Sequence, residues 1–276
     1  MRIPIACLLL ITLCLSVEAN ADIPERPPLL KGVHRIVCLG DSITQGGEGP
    51  GGYVWLLRHY LNALYGPHPS GGVTSTQNSP DTVQTIEVVN AGISGHKSTD
   101  MLARYQKDVL DKKPDLVTIS VGVNDVWHGF YDNHPEGDGP RGIPLPEYKQ
   151  HVEDMITQAE KQGAKVVVLS TTVIHEDETN KENAKIKTYN AALRDLAKKH
   201  HATFVDYQKP FWSLITAYQK ETGGHELLLT VDGVHMNATG NRVMAHTLLT
   251  GLGISAAAQA AAQPAVDADQ RANKQP

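Results

Sequence analysis

Short runs of apolar or alternating residues at 33–39, 83–89, 116–121, 166–169 and 203–205 take turns with longer stretches of helical periodicity. No other feature constrains the fold as much. Strands that are apolar nearly throughout cannot show a face to water, so they belong in a parallel sheet covered by helices on both sides. Residues 53–65 carry Val54, Leu57, Leu61 and Leu64 at helical spacing and predict an amphipathic helix. Further helices are predicted over 98–110, with Ser98 or Thr99 as N-cap, and over 146–162, 181–200 and 210–222. Asn237 can cap a last helix that runs to about Leu249. Ligands of such sheets bind beyond the carboxyl ends of the strands.

Both ends of the chain read differently from its middle. Arg2, an apolar run to about residue 17 and Ala19-Asn20-Ala21 predict a signal peptide over 1–21, cleaved after Ala21. The run is too short to span a membrane. A secreted or periplasmic location follows, and Cys38 is then the one thiol of the mature chain, expected to be a buried and inert core residue. Residues 22–254 form the predicted catalytic domain, and 255–276 turn Ala/Gln-rich, then charged, and are expected to be a disordered tail. Two surface loops are expected, at 66–82 and as a polar insertion over 127–145. The net charge of −5 carries no basic footprint, which argues against a nucleic-acid partner.

The candidate chemistry lies in segments just past the strand ends. Gly40-Asp41-Ser42 follows the first strand, where a sharp turn can present a hydroxyl at the sheet edge. Asn90-Ala91-Gly92 and Gly122-Val123-Asn124-Asp125 follow the second and third. Asp232-Gly233-Val234-His235 precedes the last helix. A serine hydroxyl is a weak nucleophile and needs a base. Of 13 histidines, His235 stands out because Asp232, three residues earlier, can hold its imidazole in one tautomer. Read alone, each segment is also ordinary turn and cap chemistry.

Taken in this order, the four segments resemble the signature blocks of the SGNH, or GDSL-type, hydrolases, across residues 34 to about 252. The resemblance implies a three-layer α/β/α, flavodoxin-like parallel sheet of about five strands and a serine esterase; no cofactor is expected, and no metal, since His-Glu-x-x-His is absent and His200-His201 reads as a solvated helix end. It implies Ser42 as nucleophile, His235 as base and Asp232 as its carboxylate. An oxyanion hole would come from the Ser42 and Gly92 amides and the Asn124 side chain. Asp41 and Asp125 are expected to support the loops. Ser42 is not in G-x-S-x-G, which separates the chain from α/β-hydrolases.

Aromatic residues make up 5% of the chain, so a deep acyl tunnel is disfavoured. The 127–145 insertion carries Trp127, His128, Tyr131, Asp132, Asn133 and His134, residues suited to stacking on a sugar and binding its hydroxyls. These features predict short-acyl esters, acetyl groups on carbohydrate above all, with Trp127, His128 and Tyr131 as substrate contacts. A lysophospholipase or thioesterase acting on longer chains, or a non-catalytic binding module on the same fold, stays open.

Overall fold

The computed structural model describes residues 24–67 and 85–273. The proposed signal peptide over 1–21 and most of the 66–82 loop lie outside the described residues. Strands β1 (Arg35–Gly40), β2 (Glu87–Gly92), β3 (Leu116–Ser120), β4 (Lys165–Leu169) and β5 (Thr203–Val205) form one sheet in the order β2-β1-β3-β4-β5. Every pairing is parallel. Ile36, Val37, Leu39, Val117, Ile119, Val167 and Val168 are fully buried. Each stabilises the fold by about 1.5–3 kcal/mol relative to exposure. Cys38 is buried among them, and desolvation pushes its thiol up to about 11.

The helices are α1 (Ser42–Gly46), α2 (Tyr53–Tyr65), α3 (Ser98–Asp108), α4 (Val123–Trp127), α5 (Leu145–Lys161), α6 (Lys181–Lys199), α7 (Gln208–Thr222), α8 (Ala238–Gly251) and α9 (Ala256–Ala272). The chain leaves β1 toward β2, then crosses back to β3 and continues outward to β5. Right-handed crossovers therefore put α2 on one face and α3, α5 and α6 on the other. The packing agrees: α3 meets α5 and α5 meets α6, while α2 meets α8 and α9. The reversal of direction leaves a crevice at the carboxyl ends of β1 and β3, where such folds take ligands.

Two expectations need correction. Residues 256–272 are helix α9, not a disordered tail. Ser255 caps it by accepting from the Ala258 amide at 3.2 Å, and Gln259, Ala262 and Val266 form its buried stripe. Ala and Gln are good helix formers, so the composition read as disorder needed only a surface to pack on. The helix α2 supplies it, with Tyr60 hydrogen-bonded to Gln263. Ser98 is not an N-cap but the first residue of α3, and Asp100 reaches back to accept the Lys97 amide at 2.9 Å. The 127–145 insertion is pinned to the body. The Ile143 amide donates to Asp125 O at 3.0 Å, the Tyr189 hydroxyl donates to Ile143 O at 2.5 Å, and Lys185 donates to Gly137 O.

Candidate active site

Strand β1, paired with β2 on one side and β3 on the other, delivers Ser42. The chain leaves β1 at Gly40, and Asp41 caps α1 by accepting the Ile43 amide at 2.9 Å. Ser42 is the first residue of α1, so its own N–H has no acceptor within the helix. Asp41 is buried, and desolvation pushes its carboxyl up to about 6 against the pull of the Ile43 bond. Arg104 of α3 ties the strand ends together beneath this turn. It donates to Gly40 O at 2.9 Å, Ala91 O at 2.8 Å, His96 Nδ1 at 3.0 Å and Asp108 at 3.1 Å. A Cβ added to Gly92 would stand 2.3 Å from Gln45 N and 2.8 Å from Asp41 O. Only glycine lets β2 approach the serine turn this closely.

Base and carboxylate sit on an arm between β5 and α8. The arm is closed at its foot by the antiparallel bridge of Thr230 with Met236, and by the Val231 amide donating to His235 O at 2.8 Å. Asn237 caps α8 through the Thr239 and Gly240 amides at 2.9 and 3.0 Å and donates to Leu228 O at 2.9 Å. At the tip, His235 Nδ1 lies 2.7 Å from Asp232 Oδ2, and His235 Nε2 lies 2.8 Å from Ser42 Oγ. With the proton on Nδ1 directed at Asp232, Nε2 is left to accept the serine hydroxyl. Asp232 Oδ1 also accepts the Val234 and His235 amides at 3.0 and 2.8 Å. Partial desolvation raises the Asp232 carboxyl, but the bonds from the His235 amide and ring and the Val234 amide outweigh it and bring it down to about 2. It stays ionised beside the imidazole.

Of the expected oxyanion donors, the Ser42 N–H has no acceptor within its helix, whereas the Gly92 N–H is engaged. Asn124 is buried, and its Nδ2 donates one hydrogen to His96 O at 3.0 Å, which fixes the side chain and leaves the second hydrogen. The Gly92 N–H is already engaged by Asn90 Oδ1 at 2.8 Å, while Asn90 Nδ2 donates to Thr44 O at 2.6 Å. The glycine at this position is demanded by packing. Further along the same turn, Gly95 has a left-handed φ of 77° and open space around it, and its N–H has no acceptor among the described residues. Asp125 does support a loop: its Oδ1 accepts the Ser98 amide at 2.9 Å. Its Oδ2 has no partner among the described residues, and desolvation pushes the carboxyl up to about 6 against the Ser98 bonds.

The expected substrate residues gather into one cluster. Trp127 meets Tyr131 edge-on with centroids 5.5 Å apart, and His128 stacks on Tyr131 at 5.0 Å. Trp127 lies three residues after Asn124 on α4, so the two share a helix face. Asp132 instead pairs with Arg141 at 3.6 Å, and His134 with Asp138 at 3.3 Å. The structure adds His175, which meets Trp127 at 6.0 Å and donates its amide to Gly233 O at 2.7 Å, within the arm. Nothing in the sequence near His175, Glu176 or Arg104 marks them. Asn90 stands in a recognisable block, but its double bonding shows only in three dimensions.

A hydroxyl, an imidazole and a carboxylate joined in line at the carboxyl edge of a parallel sheet define a serine hydrolase. The chain belongs to the GDSL-like lipase/acylhydrolase family, whose model matches residues 38–243. It is 26% identical over 234 residues to an acetylxylan esterase of Geobacillus stearothermophilus, covering 79% of this chain and 94% of that protein. It is 28% identical over 202 residues to esterase TesA of Pseudomonas aeruginosa, covering 72% of this chain and 78% of that one. The crystal structure of the acetyl xylan esterase AlAXEase superposes with a TM-score of 0.64 at 30% identity, over 78% of this chain and 98% of the other. The protein is a carboxylic ester hydrolase. No helix of the described residues is long and apolar enough to cross a membrane.

Proposed function

We propose that the protein is an exported serine esterase that removes acetyl groups from carbohydrate through an acyl-enzyme on Ser42. The observation that carries the mechanism is the line from Ser42 Oγ through His235 to Asp232, at 2.8 and 2.7 Å. His235 Nε2 takes the serine proton as Oγ attacks the ester carbonyl, and returns it to the leaving sugar hydroxyl. Water then attacks the acyl-enzyme by the same route. The developing oxyanion is received by the Ser42 N–H and the free hydrogen of Asn124 Nδ2. The reading assigns the third donor to the Gly95 N–H, because the Gly92 amide is engaged.

Likeness to two acetylxylan esterases supports acetyl as the acyl group. The Trp127, His128, Tyr131 and His175 cluster, one helical turn from Asn124 and in contact with the arm, offers faces for a sugar ring. The test compares acetyl, octanoyl and palmitoyl nitrophenyl esters, then acetate release from acetylated xylan and pectin. Acetyl preference with acetate release is expected. A preference for octanoyl or longer would replace this reading with a long-chain acylhydrolase. Export rests on the first 21 residues and is checked by N-terminal sequencing of the mature protein, expected to begin at Asp22.

A further inference from the structure

The loop after β4 holds a buried carboxylate that the reaction does not touch. Glu176 is only 4% exposed. Its Oε1 accepts the Leu229 amide at 2.9 Å, the Thr230 amide at 2.8 Å and the Thr230 hydroxyl at 2.6 Å. Its Oε2 accepts the Leu228 amide at 2.8 Å. Three successive backbone N–H groups thus close around one side chain, two residues before Asp232. Glu176 and its neighbour His175 both adopt left-handed backbone, with φ of 50° and 60°. Consecutive non-glycine residues in that region are strained and persist only where surrounding contacts hold them. Here the contacts fall on one limb of the arm and on its apex: Glu176 grips 228–230, and the His175 amide grips Gly233 O at 2.7 Å.

We propose that Glu176 is a positioning residue of the hydrolysis, setting the reach of the Asp232–His235 arm to Ser42. The inference rests on the triad assignment above. The arm has no place in the sheet ladder: Thr230 and Met236 form only an isolated bridge. Its tip must nonetheless hold His235 Nε2 within 2.8 Å of the serine oxygen. A carboxylate meets this need because it is acceptor-only, with enough lone pairs for four donors at once. An amide in its place would turn an N–H against the Leu228 amide.

The test measures nitrophenyl acetate turnover per active site, titrated with an organophosphate, together with the low-field proton resonance of the His235 Nδ1–H. Glu176→Gln is expected to lower kcat per titrated site by about 10²-fold, the scale of a misplacement near 1 Å. KM should change no more than roughly twofold, since the substrate is not contacted. The resonance should shift or vanish. Thr230→Val removes one donor and keeps the amide bonds, so a loss of several-fold is expected. It decides the matter if Glu176→Gln does not fold. A Glu176→Gln protein with a lower melting point but unchanged kcat per titrated site and an unchanged resonance is merely less stable, and overturns the proposal. An inactive wild-type chain would overturn the esterase reading instead, while the resonance would still test Glu176.

Discussion

The turn that carries Ser42 and the arm that carries Asp232 and His235 meet at 2.8 Å, yet they are held by different means. The serine turn grows out of β1, a strand paired on both sides. Its supports are buried: Asp41 is 3% exposed and the Arg104 side chain 11%, and Gly92 packs on its backbone. The arm projects from a loop, and its Asp232 and His235 side chains are 49% and 40% exposed. Its grip comes from outside, through Glu176, His175 and Asn237. The nucleophile's place is thus part of the folding energy, whereas the base's place depends on a few polar clamps. Changes to the buried supports of the serine turn should reach stability, and changes at the half-exposed tip of the arm should cost less.

The largest effects should come where the two regions touch. Ser42→Ala and His235→Ala are each expected to lower kcat on the order of 10⁴-fold or more with unaltered melting points. The double variant should lose little beyond either one, and strictly multiplicative losses would break the pairing. Asn124→Ala should lower kcat by roughly 10²–10³ with a much smaller change in KM. An unchanged kcat would remove it from the oxyanion hole.

A smaller contrast separates the supports. Arg104→Met should destabilise the protein by roughly 3 kcal/mol in denaturant unfolding, because it strips hydrogen bonds from two part-buried strand ends and leaves Asp108 without its partner. Asp232→Asn, at the half-exposed tip, should cost less stability than Arg104→Met while kcat falls about 10⁴-fold. Equal effects on stability would erase the distinction.

The last contrast is a slope with pH. Burial raises Asp125 from 3.8 to about 6, so its contribution to stability is fully present below about pH 4 and is lost as pH rises through 6. This amounts to about 3 kcal/mol. Asp125→Asn should flatten unfolding free energy over that window relative to wild type. Asp232 has the opposite sign. Held at about 2, it stabilises above pH 4 and loses that contribution as pH falls toward 2. An acid limb of kcat above pH 4 therefore belongs to another group.

Alternating apolar and amphipathic runs were enough to read the sheet, its parallel sense and the crevice, because strands buried on both faces permit little else. Ser42, Asn124, Asp232 and His235 were legible because each stands in a short local pattern. Gly92 stood in such a pattern too, but a backbone N–H has one direction, and only the fold shows that Asn90 takes it. The Ala/Gln-rich end misled for a similar reason: three buried residues of α9 become a packing stripe only when α2 lies opposite. Arg104 is 13 residues from Ala91 and 64 from Gly40, and Glu176 is 54 from Thr230. The sequence by itself determined which side chains are proposed for the chemistry, since local patterns encode backbone turns and caps. Tertiary structure alone decided what holds them in place, since a buried charge is recognised by its partners and those come from distant parts of the chain.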